Sequence, residues 1–378
     1  MTFMKSNHRS FDIRTEPYLY YPWTVRSPGR SDALGGILVT GATSFIGIHV
    51  IRELQRLTNR TIHCLVRAGS HDDARRRLIA ITERWKVEGI DYDRLDLHCG
   101  DVLKPNWGLP EPEWRCVQER SSVVVHLALH ARYDLPYARY QRTWLPELIS
   151  MIEYCRNESF PKSLHYPCSY NSHFLRVDED FGRLDTSAWH CGYTGFKWVA
   201  ERLIRHNLGA ELRGCLYDIP LVFGTMESAI SPPQYAAWHL ITMMIQTGVV
   251  PDFVFQLITV DSLARCMVNN ILAHGQGRGL RYIRPILDGQ VLPKHLIAVL
   301  KDAGYETQMG SREDIINRSS SPRLSAFLLP QDFTALISDA HSLPAILPVD
   351  MQFDSMPGAT DAFERNVSHW IAMKHSQA

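Results

Sequence analysis

The chain has 378 residues, and its 40 Lys and Arg balance its 40 Asp and Glu, so the formal net charge is zero. This balance provides no basic field for nucleic acid or for an anionic membrane surface, and no apolar run approaches the ~20 residues that span a bilayer. The length exceeds one ordinary hydrophobic core and predicts a large domain followed by a smaller one.

Cysteine and histidine spacing lacks the common zinc and disulfide patterns. The eight cysteines form no Cys-x-x-Cys pair, and none of the 17 histidines lies in a His-Glu-x-x-His motif. Scattered cysteines are typical of reduced thiols, and the first 33 residues contain no continuous apolar segment of a secretory signal. We therefore expect a cytoplasmic location, no metal site, and neither nucleic acid nor membrane as a partner.

Predicted strands and helices alternate from Gly35 onward, after an N-terminal extension of residues 1–34. Each predicted strand is a short run that is apolar on both faces, whereas the predicted helices carry apolar residues at the spacing of one helix face. In chain order these elements are strand Gly36–Thr40, helix Ile46–Leu57, strand Thr61–Val66, helix 72–86, strand Leu95–Cys99, strand Ser122–Leu127, helix 144–156, strand Ser163–Cys168, helix 193–207 and strand Gly214–Ile219.

This alternation predicts an α/β fold, a doubly wound parallel Rossmann sheet with helices on both faces. We assign residues 35–220 to this Rossmann domain and residues 221–378 to a smaller, mostly helical substrate-binding region interleaved with the last Rossmann elements. In that region we predict helices at 234–247, 261–273 and 291–303, a strand at Leu280–Arg284, a loop at 317–324, and an irregular tail ending in a helix at 361–373.

A glycine-containing turn, Thr40-Gly-Ala-Thr-Ser-Phe-Ile-Gly47, joins the first predicted strand to the first predicted helix. Gly41 can adopt the positive φ of a tight turn, and Gly47 allows the helix to pack closely on the strand. The exposed N–H groups and the dipole of the first helical turn favour a pyrophosphate. The context predicts a dinucleotide site, although a glycine turn without a ligand is the alternative.

Residues after the second and third strands indicate which dinucleotide is bound. Arg67 follows the second strand, where an acid would hold the ribose of NAD and an arginine suits the 2′-phosphate of NADP. Arg75 or Arg76 could assist it, and a solvated surface arginine is the alternative. Asp101 follows the third strand and could accept from the adenine amino group, but an ordinary turn residue is nearly as good an explanation. The sequence therefore favours NADP(H).

Tyr193 and Lys197 open a predicted helix and lie four residues apart, so they share one helix face. A neighbouring ammonium favours the phenolate and lowers the pKa of a tyrosine, and the phenol can then donate a proton to a carbonyl oxygen. Ser169 ends the fifth strand, at the carboxyl edge where open α/β sheets bind ligands, and could hydrogen-bond the same oxygen; Ser172 is a competitor. We predict Tyr193, Lys197 and Ser169 as the catalytic residues.

At these residues the sequence resembles the extended short-chain dehydrogenases/reductases. More narrowly, it is similar to the terminal thioester reductase domains of nonribosomal peptide synthetases, aminoadipate reductase and carboxylic acid reductases. The resemblance runs from about residue 35 to residue 305. It is carried by the stretches Ile37–Arg67, Cys99–Trp114, Ser122–His130, Gly192–Ile204 and Ile258–Leu272.

The resemblance implies an NADPH-dependent reductase of an acyl thioester or aldehyde in secondary metabolism. It implies a small-molecule or carrier-protein-bound acyl substrate, and the helices of this fold often pair, which is compatible with a homodimer. The family's Ser/Thr, Tyr and Lys map onto Ser169, Tyr193 and Lys197. The full predicted cofactor-binding set is Gly41, Thr43, Ser44, Phe45, Ile46, Gly47, Arg67, Asp101, Val102, Leu127, Tyr193, Lys197, Pro220 and Val222.

The chain departs from the family pattern at several positions. Ser44 replaces a glycine of the phosphate turn, Leu127 replaces the Asn after the fourth strand, and Thr143 replaces an Asn expected to order a proton-relay water. Pro167 lies inside the fifth strand, which is awkward for a central strand. These losses motivate a second hypothesis, a redox-silent protein of this fold that catalyses a cyclisation, isomerisation or condensation with Tyr193 as acid or base. A third is a non-catalytic NADP-sensing or scaffold protein.

Overall fold

The protein is described by a computed structural model. The described residues are 35–129, 131–132, 135–157, 159–170, 192–208, 214–252, 256–273, 280–287, 291–320, 351–356 and 358–377. The predicted N-terminal extension, Ser172 and residues 321–324 of the predicted loop lie outside this set. No helix among the described residues is long and apolar enough to cross a bilayer.

One parallel sheet of eight strands organises the described chain. Its order is β12-β10-β6-β5-β4-β1-β2-β3, and every neighbouring pair is parallel. The strands of this sheet are β1 (Gly36–Thr40), β2 (Ile62–Val66), β3 (Leu95–Cys99), β4 (Ser121–His126), β5 (Ser163–Ser169), β6 (Gly214–Ile219), β10 (Leu280–Leu287) and β12 (Met351–Met356). Two further parallel pairs join β7 (Leu221–Phe223) to β9 (Leu257–Thr259) and β8 (Val249–Pro251) to β11 (Gln308–Gly310).

Eleven α-helices lie among the described residues. They are α1 (Phe45–Leu57), α2 (His71–Trp85), α3 (Glu111–Arg120), α4 (Tyr137–Thr143), α5 (Leu145–Cys155), α6 (Gly192–Leu208), α7 (Ala236–Thr247), α8 (Val260–Leu272), α9 (Pro293–Asp302), α10 (Arg312–Arg318) and α11 (Ala359–Gln377).

The order of the strands reverses between β1 and β4, which places a topological switch point beside the glycine turn. Open α/β sheets bind ligands in the crevice at the carboxyl ends of the strands at such a point. The predicted α/β class and doubly wound Rossmann sheet are confirmed. The expected ligand site is therefore the end of β1, where Gly41 and Leu127 meet.

The central strands are buried because both faces of the sheet are covered. Successive side chains alternate between the two faces, so Val39 on β1 belongs to one hydrophobic core and Leu38 to the other. On the first face β1 shares its core with α1 and α8, whereas on the second face it shares it with α5 and α6. Burial on both faces explains why these strands read as continuous apolar runs.

Several sequence-based predictions of local structure were wrong. The tail before the last helix is not wholly irregular, because β12 pairs with β10 from Tyr282 to Leu287 and completes the sheet. Residues 317 and 318 belong to α10 rather than to a loop. The helices α3 and α4 and the three-residue strands were not predicted, because short or polar segments carry no clear periodicity.

Pro167 does lie in a central strand. The ladder between β4 and β5 runs only from Ser163 to His165, so Pro167 lies past its last pair. On the other side of β5, Pro167 is opposite Tyr217 of β6. A proline is tolerated here because the ladder on the β4 side has already ended, so β5 is paired on one side only at this position.

Candidate active site

The turn between β1 and α1 has the geometry of a phosphate-binding cradle. Gly41 has a φ of +72°, and a Cβ there would lie 2.5 Å from the Leu127 carbonyl oxygen. A Cβ at Gly47 would lie 2.2 Å from the Gly41 carbonyl oxygen. Any side chain at either position would therefore collide with backbone, so both glycines are required for the close approach of turn, helix and strand. The residues present fit a pyrophosphate at the start of α1.

Ser44, which stands where the resemblance expects a glycine, is the N-cap of α1. Its φ of −87° and ψ of 163° are ordinary extended backbone, and its side chain accepts a hydrogen bond from the Gly47 N–H. The Ser44 hydroxyl lies 2.9 Å from the Gly47 nitrogen. The substitution is thus accommodated without strain, but it uses one of the N–H donors of the first helical turn.

The residues expected to bind the adenosine half of the dinucleotide lie at the carboxyl ends of β2 and β3. Arg67 is exposed directly after β2, in a position to meet a ligand from solvent. Asp101 is half-buried, and its Oδ1 accepts from the Leu103 N–H at 3.1 Å. This hydrogen bond within the turn supports the alternative that Asp101 is an ordinary turn residue. Arg75 is held elsewhere, because its Nη1 lies 2.9 Å from Asp93 Oδ1.

The Lys197 ammonium lies between the end of β5 and the Tyr193 ring. Its Nζ donates to the Pro167 carbonyl oxygen at 2.5 Å. The same ammonium lies 4.7 Å from the centroid of the Tyr166 ring and 5.9 Å from that of Tyr193. Because Pro167 is two residues before Ser169, the structure brings the predicted lysine and tyrosine to the strand end that carries the predicted serine. Tyr193 is half-buried and Ser169 is buried.

Burial controls the charge of Lys197. Its side chain is 2% exposed, and desolvation lowers the pKa of the ammonium to about 8, partly opposed by electrostatic interaction with Cys168 and Glu147. The group is therefore cationic at neutral pH and titrates just above it. A buried lysine with such a pKa beside a phenol is typical of a functional site.

A buried polar chain that sequence reasoning missed runs beneath this region. The Thr40 hydroxyl lies 2.8 Å from His126 Nδ1, and His126 Nε2 lies 3.2 Å from Glu147 Oε1, at ion-pair distance but without hydrogen-bond geometry. His126 also stacks on Tyr166, with ring centroids 5.7 Å apart. The available signal was Glu147 itself, an acid on the otherwise apolar face of α5.

The remaining predicted cofactor residues line the carboxyl ends of the strands. Leu127 follows β4, and its N–H donates to the Thr40 carbonyl at 3.1 Å. Pro220 and Val222 follow β6 and are buried, as is Val102 after β3. Thr43, Phe45 and Ile46 belong to the turn and the first turn of α1. Leu127 presents a side chain without an amide where the resemblance expects an Asn.

The sheet order and the glycine cradle define a Rossmann protein of the dinucleotide-binding class. Residues 39–267 match the NAD-binding family described as "Male sterility protein". The match covers more than half of the chain, so this chain belongs to that family.

Curated relatives match the chain over part of their length. A nonribosomal peptide synthetase of Aspergillus flavus, asaC, is 29% identical over 208 residues, covering 52% of this chain and 20% of that protein. The large subunit of L-2-aminoadipate reductase from Candida glabrata is 22% identical over 324 residues, covering 78% of this chain and 23% of that protein. The chain thus spans about a fifth of the length of these relatives.

Solved structures share the fold. The terminal R domain from the myxalamid PKS-NRPS biosynthetic pathway superposes with a TM-score of 0.70 at 19% identity, covering 92% of this chain and 93% of that one. A thiolation-reductase di-domain of an archaeal nonribosomal peptide synthetase has a TM-score of 0.65 at 14% identity, covering 91% and 76%. At these identities the likeness shows a common fold.

Proposed function

We propose that this chain is an NADPH-dependent reductase that converts an acyl thioester or an aldehyde of secondary metabolism. The observation that carries the proposal is the Lys197 ammonium, buried between the end of β5 and the Tyr193 ring. The match to an NAD-binding family supports a nicotinamide cofactor. Relatives named as peptide synthetases and aminoadipate reductases support a carrier-bound acyl substrate.

In this proposal, the side chains divide the work of reducing a carbonyl. The cofactor supplies a hydride when it is bound. Tyr193 donates a proton to the carbonyl oxygen, Lys197 stabilises the resulting phenolate, and Ser169 donates a hydrogen bond that polarises the carbonyl. Burial of Lys197 strengthens its charge interaction with the phenol, because solvent screening is weak there.

Arg67 is the proposed determinant of NADPH over NADH. A guanidinium exposed after β2 can pair with the 2′-phosphate that only NADPH carries. The glycine cradle at Gly41 and Gly47 would hold the pyrophosphate of either dinucleotide. We therefore expect Arg67→Ala to weaken NADPH binding roughly tenfold to hundredfold and to leave NADH binding nearly unchanged. Arg84→Ala, an exposed arginine over the Trp85 ring, is the matched control.

The experiment that tests the function combines binding with turnover. Purified protein is titrated with NADPH by nicotinamide fluorescence, and NADPH oxidation is then followed with acyl-pantetheine thioesters and aldehydes. Tyr193→Phe should lower kcat by about 10²–10⁴-fold with NADPH binding retained, whereas Tyr305→Phe should not. Absence of NADPH binding and oxidation would refute the proposal. Conversion of a substrate without dinucleotide would favour the redox-silent alternative, which the loss of the amide at Leu127 motivates.

A further inference from the structure

We propose that β2 and β3 carry a binding site for a divalent transition-metal ion of the zinc type, with His63, Asp96 and His98 as its ligands. One ligand atom from each of these side chains lies within 4.8 Å of the other two. His63 Nδ1 lies 3.0 Å from Asp96 Oδ2, His98 Nε2 lies 3.5 Å from the same oxygen, and the two ring nitrogens lie 3.2 Å apart. The cluster is separate from the Tyr193 site and takes no part in the proposed reduction.

The register of the sheet explains why these side chains meet. His63 on β2 is the direct partner of Asp96 on β3. His98 is two residues further along β3 and therefore points to the same face as Asp96. Directly opposite and diagonal positions on one face of a strand pair lie within reach of long side chains. Two neighbouring strands thus present two imidazoles and one carboxylate together.

The spacing of the three atoms matches a metal coordination shell. A tetrahedral ion with nitrogen and oxygen ligands at about 2.0–2.1 Å separates its ligand atoms by about 3.3 Å. The three observed distances, 3.0, 3.2 and 3.5 Å, bracket that value. Two imidazoles and one carboxylate are a ligand set that zinc accepts in proteins.

The hydrogen-bond inventory of the cluster also favours a cation. His98 Nδ1 lies 2.7 Å from Glu113 Oε1, so that nitrogen carries the proton and a neutral His98 presents a bare lone pair at Nε2. With His98 neutral, one proton on His63 Nδ1 satisfies one of its two neighbours, and the His98 nitrogen and the Asp96 oxygen still face each other as acceptors. Either a second proton on His98 or a bound cation resolves this contact. A bound cation would use all three lone pairs at once.

The surroundings supply an outer partner for one of the two imidazoles, whereas His63 Nε2 is buried without a hydrogen-bond partner among the described residues. Glu113 on α3 orients His98 in the carboxylate–histidine–metal arrangement common around zinc. Both imidazoles are buried, which holds their rings in place, whereas the Asp96 side chain is 44% exposed. That exposure gives an ion an entry path and leaves room for water as a fourth ligand. Such an ion would clamp β2 to the edge strand β3.

The expectation of no metal site rested on motifs whose ligands are spaced along one segment of the chain. Here the ligands come from two strands that are far apart in the chain, since Asp96 is 33 positions after His63. Only the pairing of β2 with β3 brings them together. The proposal therefore replaces the expectation of no metal.

The test uses tag-free, chelator-treated protein titrated with Zn²⁺ against a colorimetric chelator, and with Co²⁺ by visible spectroscopy. We expect one equivalent of Zn²⁺ and the intense absorption of tetrahedral Co²⁺. Asp96→Asn and His98→Gln should each weaken binding by more than tenfold, and Glu113→Gln, which leaves all ligands in place, by roughly tenfold to hundredfold. Zn²⁺ should also raise the Tm of the wild type and not that of Asp96→Asn.

Two controls make the result decisive. Asp93→Asn alters an exposed carboxylate near the start of the same strand, and His71→Gln alters an exposed histidine; both should bind Zn²⁺ as the wild type does. Glu113→Gln keeps the test informative if a ligand variant fails to fold. The proposal is overturned if the wild type shows no saturable Zn²⁺ binding, which is the result expected if the cluster holds only a proton. It is also overturned if Asp96→Asn and Glu113→Gln bind Zn²⁺ as tightly as the wild type.

Discussion

Lys197 sets the pH range in which the proposed site carries its charge. Its pKa is lowered to about 8 by burial, so the ammonium is present below about pH 8 and is lost as pH rises through that value. If proton transfer by Tyr193 requires the cation, kcat/KM should fall about tenfold per pH unit above pH 8. Lys197→Arg keeps the charge and should move this falling limb to higher pH.

Lys162 offers a matched control for that profile. It is a second buried lysine with its pKa lowered to about 8, and its Nζ donates to the Gln118 carbonyl at 2.6 Å. Lys162→Met should leave the falling limb in place. A limb that stays at the same pH in Lys197→Arg would show that another group controls the rate.

The negative charge of Glu147 should raise the pKa of Lys197. Its carboxylate lies against His126 Nε2, and its charge is one of the interactions that raise the pKa of Lys197 against the effect of burial. Glu147→Gln removes this charge and keeps the size of the side chain, so the falling limb of the pH profile should shift to lower pH. Glu153→Gln, on the exposed side of the same helix, should not shift it. An unchanged limb in Glu147→Gln would contradict the coupling.

At the scale of elements, a buried ion pair joins β6 to β10. Arg284 Nε donates to Asp218 Oδ2 at 2.6 Å, and Arg284 Nη2 contacts the same oxygen. Both side chains are almost fully buried. Arg284→Met would leave a carboxylate without its cation in the interior, and we expect it to lower the free energy of unfolding by about 3–5 kcal/mol in urea denaturation.

The exposed pair Arg56–Glu53 is the comparison for this prediction. Its Nη2–Oε1 distance is 2.7 Å, but the arginine is 57% exposed, so Arg56→Ala should lower the free energy of unfolding far less than Arg284→Met does. The double variant Asp218→Leu with Arg284→Met should recover part of the lost stability, because apolar side chains replace the pair. Equal effects of Arg284→Met and Arg56→Ala would refute the assigned role of the buried pair.

The predictability of each element follows from the range of its interactions. Most of the alternation from β1 to β6 could be predicted because long apolar runs and helical periodicity are local properties of the chain. Edge strand β12 and the seven-residue helix α4 were not predicted, since their stability depends on partners far away in sequence. The glycine turn and the Tyr193–Lys197 pair are local motifs and could be predicted. The Thr40–His126–Glu147 chain arises only when three elements pack together.

At the scale of the whole molecule, a buried histidine on α1 should make stability depend on pH. His49 on α1 is 3% exposed, neither ring nitrogen has a hydrogen-bond partner among the described residues, and its ring packs edge-on against Phe45 at 5.2 Å. Desolvation lowers its pKa to about 4, partly opposed by Asp261. The imidazole is therefore neutral in the folded protein at pH 5–6, whereas in the unfolded chain it is largely protonated below about pH 6.5.

Because the unfolded state binds the extra proton between about pH 6.5 and pH 4, stability falls as pH decreases through this window. The loss should amount to about 3 kcal/mol by pH 4 and should be absent above pH 7. The measurement is the difference in unfolding free energy between wild type and His49→Leu from pH 7 to pH 4, with exposed His71→Leu as control. The carboxylates whose folded pKa is lowered, such as Asp96, lose their contribution at lower pH, so subtraction isolates His49. A difference curve that stays flat across the window would show that His49 is protonated equally in both states, and that α1 tolerates a charge inside the core.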